Sequence, residues 1–173
     1  MTLRFCLLFL LLSPLAIGAT PRIQLSKPVS SSLLIVLQGS ESLHAALFSK
    51  NEKKVSEDVQ QLLKTVELTQ NISSRSETAE TLVHLGKILT TTKNRLRDVQ
   101  NVSLAEKERR LSYLREFYQQ IIQITRLYDV SHGYNVFFCP KDKEKAVWIQ
   151  KSSKAQNPFD PDGNLKSCGV LMR

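Results

Sequence analysis

Histidine, methionine and tryptophan are scarce in this chain of 173 residues, which holds three His, two Met and one Trp. The histidines are His44, His84 and His132, and none belongs to a His-Glu-x-x-His pair that would seat zinc on one helix face. No Gly-x-Ser-x-Gly elbow and no phosphate-cradling glycine loop is present. With no nucleophile–base pair and no metal-catalytic cluster in the sequence, the expectation is a protein that is not an enzyme. Long apolar runs are also missing after residue 19, so no transmembrane segment is expected once an N-terminal leader is gone. Dense basic runs are missing too. The chain has 24 Lys+Arg against 16 Asp+Glu, but the excess is spread out. Nucleic acid is therefore not an expected partner, and weak attraction to anionic surfaces is all the charge implies. No internal repeat is visible.

What is present begins with the N-terminus. Arg4 gives a short positive region, and Phe5 to Ile17 is almost unbroken apolar sequence, interrupted by Ser13 and Pro14. Small residues follow at Gly18 and Ala19, then polar Thr20. This is the pattern of a signal peptide over residues 1–19, with cleavage after Gly18 or Ala19. An apolar run of about 13 residues is too short for a bilayer, which takes about 20 as a helix. An uncleaved anchor is the rival reading. Cleavage leaves 154 residues, one domain in size and long enough to bury a core. A periplasmic or secreted location follows.

Residues 20–32 contain Pro21, Pro28 and several serines and read as an extended leader. From there helical spacing predicts a bundle over 33–132. The first stripe is Leu33, Val36, Leu37, Ser40, His44, Leu47 and Phe48, weakened by Gly39. Asn51 can cap a second helix with Val55, Val59, Leu62 and Val66 on one face. Thr69 to Thr78 reads as a polar connector. A third helix carries Leu82, Leu85, Leu89, Thr92, Leu96 and Val99. Ser103-Leu104-Ala105-Glu106 has the form of a capping box. It opens a fourth helix with Leu111, Leu114, Tyr118, Ile121, Ile124 and Tyr128. The fold expected is mainly α, an up-down four-helix bundle, because each helix has one apolar stripe to cover.

After Gly133 the rhythm changes to alternation through Tyr134, Val136 and Phe138, ended by Pro140. Ala146 to Ile149 is a second short apolar segment, with a charged turn, residues 141–145, between them. Asn157-Pro158-Phe159 and Asp160-Pro161-Asp162-Gly163 are dense in turn signals. Residues 133–173 are thus expected to form a small irregular cap, holding at most one short β-hairpin, packed on an end or side of the bundle. Tyr134, Phe137, Phe138, Trp148 and Phe159 would supply its core. His44 and His84 read as packed or surface histidines, and His132 as a cap on helix-end carbonyls or a metal ligand. Asn71-Ile72-Ser73 and Asn101-Val102-Ser103 match the glycosylation acceptor pattern, both in expected connectors.

The two cysteines left after the leader are Cys139 and Cys168. In an oxidising compartment they are most simply a disulfide, worth roughly 3 kcal/mol for a loop of about 30 residues. The other use is a thiolate pair on a soft metal. The order Tyr134, Cys139-Pro140, Trp148-Ile149, Asn157-Pro158-Phe159, Leu165, Cys168-Gly169 resembles the C-terminal signature of a bacterial periplasmic domain family of unknown function. Its members occur alone or attached to adaptor (membrane-fusion) subunits of copper and heavy-metal efflux systems. His44-Ala45-Ala46-Leu47 and Val59-Gln60-Gln61-Leu62-Leu63-Lys64 also resemble it, so the similarity spans about residues 33–170.

The resemblance implies a helical bundle with a cysteine-bearing end and a Cu(I) or other soft-metal site. Cys139 and Cys168 would be the ligands, with His132 and Met172 as further donors. The sequence departs from the family by carrying Lys141 and Leu165 where many members have methionine. Three functions follow as expectations. One is an exported, non-enzymatic accessory protein linked to copper or heavy-metal binding and efflux. The second is a structural or protein-interaction module held by a disulfide and recognised by another envelope protein. The third is a secreted signalling ligand of cytokine type.

Overall fold

The computed structural model describes residues 21–130 and 133–172. The expected signal peptide and its cleavage point lie outside the described residues, as does His132. Within them, four helices run in sequence, each packed on the next, followed by a small antiparallel sheet.

The first helix, α1, spans Lys27–Phe48. It starts before the expected point, so the leader predicted over 20–32 is shorter than its composition suggests. Pro28 sits in the first turn, where its missing N–H costs nothing and its fixed φ suits the helix. Ser32 and Ser40 are tolerated because their hydroxyls donate to the Val29 and Val36 carbonyls. Val29 extends the buried stripe that the sequence shows from Leu33 to Leu47. The remaining leader is extended and tied down: Ile23 N–H donates to Leu127 O at 2.8 Å, and Asp129 N–H donates to Ile23 O at 3.2 Å.

Helix α2 spans Glu52–Ser76, capped by Asn51 Oδ1, which accepts from Lys54 N–H at 3.0 Å. The expected connector from Thr69 to Thr78 is mostly helix. Thr69, Ser73 and Ser74 donate to carbonyls three or four residues back, and Thr69 and Ser73 are buried in line with Val66. Small hydroxyl residues here continue the stripe instead of breaking it. Gly39 has a matching reason: a Cβ there would lie 2.8 Å from Leu62 Cδ2, so its absence lets α2 approach α1.

Helix α3 spans Ala79–Asn101, with Thr78 as its cap and Leu85, Leu89, Thr92, Leu96 and Val99 buried as the spacing predicts. Helix α4 spans Lys107–Leu127 and buries Leu114, Tyr118, Ile121 and Ile124, with Tyr128 buried just beyond its end. The expected capping box does not form. Ser103 Oγ accepts from Ala105 N–H in a local turn, and the Glu106 carboxylate pairs with Arg109 instead.

Three strands follow: β1 (Asn135–Phe138), β2 (Val147–Gln150) and β3 (Val170–Leu171). The order is β2-β1-β3, all antiparallel. The expected hairpin is β1–β2; the third strand is an addition, too short to leave a periodic signal. Strand β2 packs against both α4 and α1, which meet each other far less. The cap is therefore on the side of the bundle, closing the gap between its first and last helices.

Candidate functional site

The cap gathers the residues that the sequence singled out. Cys139 follows β1, and its N–H donates to Ala146 O at 2.9 Å across the mouth of the hairpin turn. Cys168 precedes β3. The two form a disulfide with Cα atoms 5.3 Å apart. Cys139 is fully buried and Cys168 partly so. The bridge thus ties the end of β1 to the chain entering β3, so that β3 can pair with β1 on the side away from β2.

Several other residues of the C-terminal signature have a packing role in the cap. Trp148 is buried opposite Phe137, their rings stacked at 5.8 Å. Trp148 Nε1–H donates to Gln150 Oε1, and the Gln150 amide in turn donates to Ser152 O and Lys154 O. Gly169 lies against that indole. A Cβ there would sit 2.6 Å from Ala155 Cβ and 3.1 Å from the Trp148 ring. Glycine follows Cys168 because the backbone must pass this close.

Asn157 is buried, and its Oδ1 accepts from Phe159 N–H at 3.0 Å, shaping the turn around Pro158. That turn drives Phe159 into the bundle, edge-on to Tyr118 at 5.9 Å. The aromatic cluster expected to be the cap's own core is thus divided. Phe137 and Trp148 hold the sheet, whereas Phe159 is a plug between cap and helices.

Of the polar contacts that seat the cap, two are largely covered, and sequence reasoning placed neither. His44 on α1 is buried and its Nε2 lies 2.7 Å from Gln156 O, so Nε2–H donates to the cap's main chain. Burial pulls this imidazole below its usual pKa of 6.5, against the opposing pull of the Gln156 bond and of nearby Glu41. On α4, Arg115 reaches the hairpin turn. Its guanidinium lies 2.9 Å from Glu144 and 3.8 Å from Asp142, and over the Phe159 ring. Arg115 and Asp142 are about nine-tenths covered, at 12% and 9% side-chain exposure. The signal was available only as an Arg on the half-buried flank of α4, which has no distinctive spacing.

Cys139 and Cys168 hold no free thiolate in this state. A disulfide offers no thiolate, and a Cu(I) site built on Cys139 and Cys168 exists only after the bridge is reduced. Met172 is placed at the end of β3, where its N–H donates to Val136 O at 2.8 Å. Among the described residues, no group of three His, Cys, Asp or Glu is placed to hold a metal ion. His84 is exposed on α3. Both acceptor asparagines are exposed, but Asn71 lies inside α2 and not in a connector, and Asn101 is the last residue of α3.

An open groove of about 630 Å³ lies where the start of α2 meets the end of α3 and Leu104. Its lining includes Lys53, Glu57, Gln60 and Arg110, and no His or Cys. Comparison with models of known protein families, with curated proteins and with solved structures finds no match.

Proposed function

We propose that the chain is an exported, non-enzymatic helical module that works by being recognised by another component of the cell envelope. Cys139–Cys168 is its structural staple. One observation carries this reading: the bridge sits at the centre of the cap, and Trp148, Asn157, Phe159 and Gly169 around it are all engaged in packing. A signature that builds a rigid surface supports recognition better than reaction. Export is supported by the bridge itself, since structural disulfides persist in oxidising compartments. No described helix is long and apolar enough to cross a membrane.

Mass spectrometry of the unreduced protein from its native compartment, paired with metal analysis of the same sample, tests the reading. Quantitative loss of two hydrogens, with no stoichiometric metal, is expected. Free thiols with copper at one equivalent would overturn it, and make the chain the copper or heavy-metal efflux accessory that the resemblance implies. Anaerobic Cu(I) titration of reduced protein against a Cys139→Ser, Cys168→Ser variant then locates the metal.

A further inference from the structure

We propose that the tip of the β1–β2 hairpin, with β3 beside it, is a docking surface for anionic phospholipid headgroups. In sequence the tip looks nearly balanced: Lys141-Asp142-Lys143-Glu144-Lys145. The fold unbalances it. Asp142 turns inward to Arg115, and its Oδ1 accepts from Glu144 N–H at 2.8 Å. Glu144 pairs with Arg115 at 2.9 Å. The single Arg115 guanidinium is shared between the two carboxylates, so the tip with its bundle partner holds three lysines and one arginine against two acids, a net charge of +2. Lys141, Lys143 and Lys145 remain exposed, and among the described residues none has a carboxylate partner.

The cap's other two acids also have partners, although Asp162 is itself exposed. Asp160 accepts from Leu165 N–H, and Asp162 pairs with Lys50 of the bundle.

An aliphatic edge adjoins this charge. Val170 and Leu171 of β3 are 57% and 48% exposed. Val170 pairs with Phe138, one residue before Cys139, so β3 lies next to the tip. Exposed edge strands are usually guarded by charge or proline within the strand itself; this one carries neither. Basic side chains beside exposed aliphatics match the boundary of an anionic bilayer, where lysine meets headgroups and the apolar group enters the acyl margin. The choice of lysine fits as well. It is a compact, hydrated point charge on a flexible stem, suited to a diffuse field and not to a fixed bidentate partner. An acidic protein segment would be better served by a groove, and the 630 Å³ groove between α2 and α3 is lined by other residues.

This surface deepens the recognition-module reading and rests on it, and the two can fail separately. Flotation of the purified protein with phosphatidylglycerol/phosphatidylcholine vesicles, beside phosphatidylcholine vesicles and soluble polyglutamate, is the test. Thiols are counted on the same sample. Binding to the anionic vesicles alone is expected, weakening with salt. Each basic side chain near such a surface is worth roughly fivefold in partitioning, so K141Q/K143Q/K145Q should lower it on the order of a hundredfold. V170S/L171S should weaken it further, with circular dichroism unchanged. A control of equal charge on other faces, K64Q/K87Q/K93Q, should change it less than about fivefold.

No binding by a disulfide-intact protein overturns the surface and leaves the module reading standing. Equal loss in the control, or tighter binding to polyglutamate than to vesicles, overturns it too. Free thiols with bound copper overturn the module reading itself.

Discussion

Replacing Cys139 and Cys168 together with alanine removes the one covalent link between the end of β1 and the start of β3. The bridge spans 29 positions. Loop-closure entropy for that length puts the loss at about 3 to 4 kcal/mol, acting mainly by freeing the unfolded chain. Alanine leaves the buried Cys139 position apolar, so no unpaired polar group is added. With a urea slope near 2 kcal/mol per molar, the unfolding midpoint should fall by roughly 2 M. Two probes read different parts of the molecule. Trp148, the single tryptophan, is buried in the cap and reports by fluorescence; far-ultraviolet circular dichroism reports the helices.

Because β2 fills the space between α1 and α4, cap and bundle share one core, and the two transitions should move together. Reductant added to the native protein should reproduce the shift, and should leave the alanine variant untouched. A shift below about 1 kcal/mol would show that the closed loop is not what limits the unfolded chain. A fluorescence transition that moves alone would show that the cap is an appendage and not a wall of the core.

Three further outcomes follow from the same contacts. Folding holds His44 neutral below its ordinary pKa, so the unfolded state binds more protons as pH falls through 6.5; stability should drop with acidification from that point, and His44→Gln should flatten the dependence in equilibrium unfolding across pH 5 to 7. Gly169→Ala places a methyl 2.6 Å from Ala155 Cβ and 3.1 Å from the indole, and should cost about 1–3 kcal/mol by overpacking, with a shifted Trp148 emission. Arg115→Ala leaves Asp142 covered and without its cation and uncovers the Phe159 ring. It should cost about 3 kcal/mol, whereas a charge-removing change at the exposed Lys64 should cost under about 0.5 kcal/mol in the same denaturation assay.

Much of the bundle was legible because helix burial repeats every three or four residues, and the stripes from Leu33 to Leu47 and from Val55 to Val66 carry that repeat in plain aliphatics. Boundaries were less legible. Pro28 and the serines of 69–78 read as breakers, yet a proline in the first turn and hydroxyls bonded back to their own helix are both compatible with it. The capping box failed for the opposite reason: its residue types are right, but Glu106 found Arg109. Local sequence offers such alternatives and does not choose among them.

The four amphipathic helices, the hairpin segments and the two cysteines that follow residue 19 are legible in the chain alone. These are properties of residue type and short spacing. What closes the gap between α1 and α4, which state the cysteines take, and which charges of the cap lack a partner are settled by the fold. Those outcomes depend on pairs far apart in the chain: His44 with Gln156, Arg115 with Glu144, Gly169 with Trp148. No local periodicity encodes such pairs, because their energy appears only when distant segments bury the same water-free space.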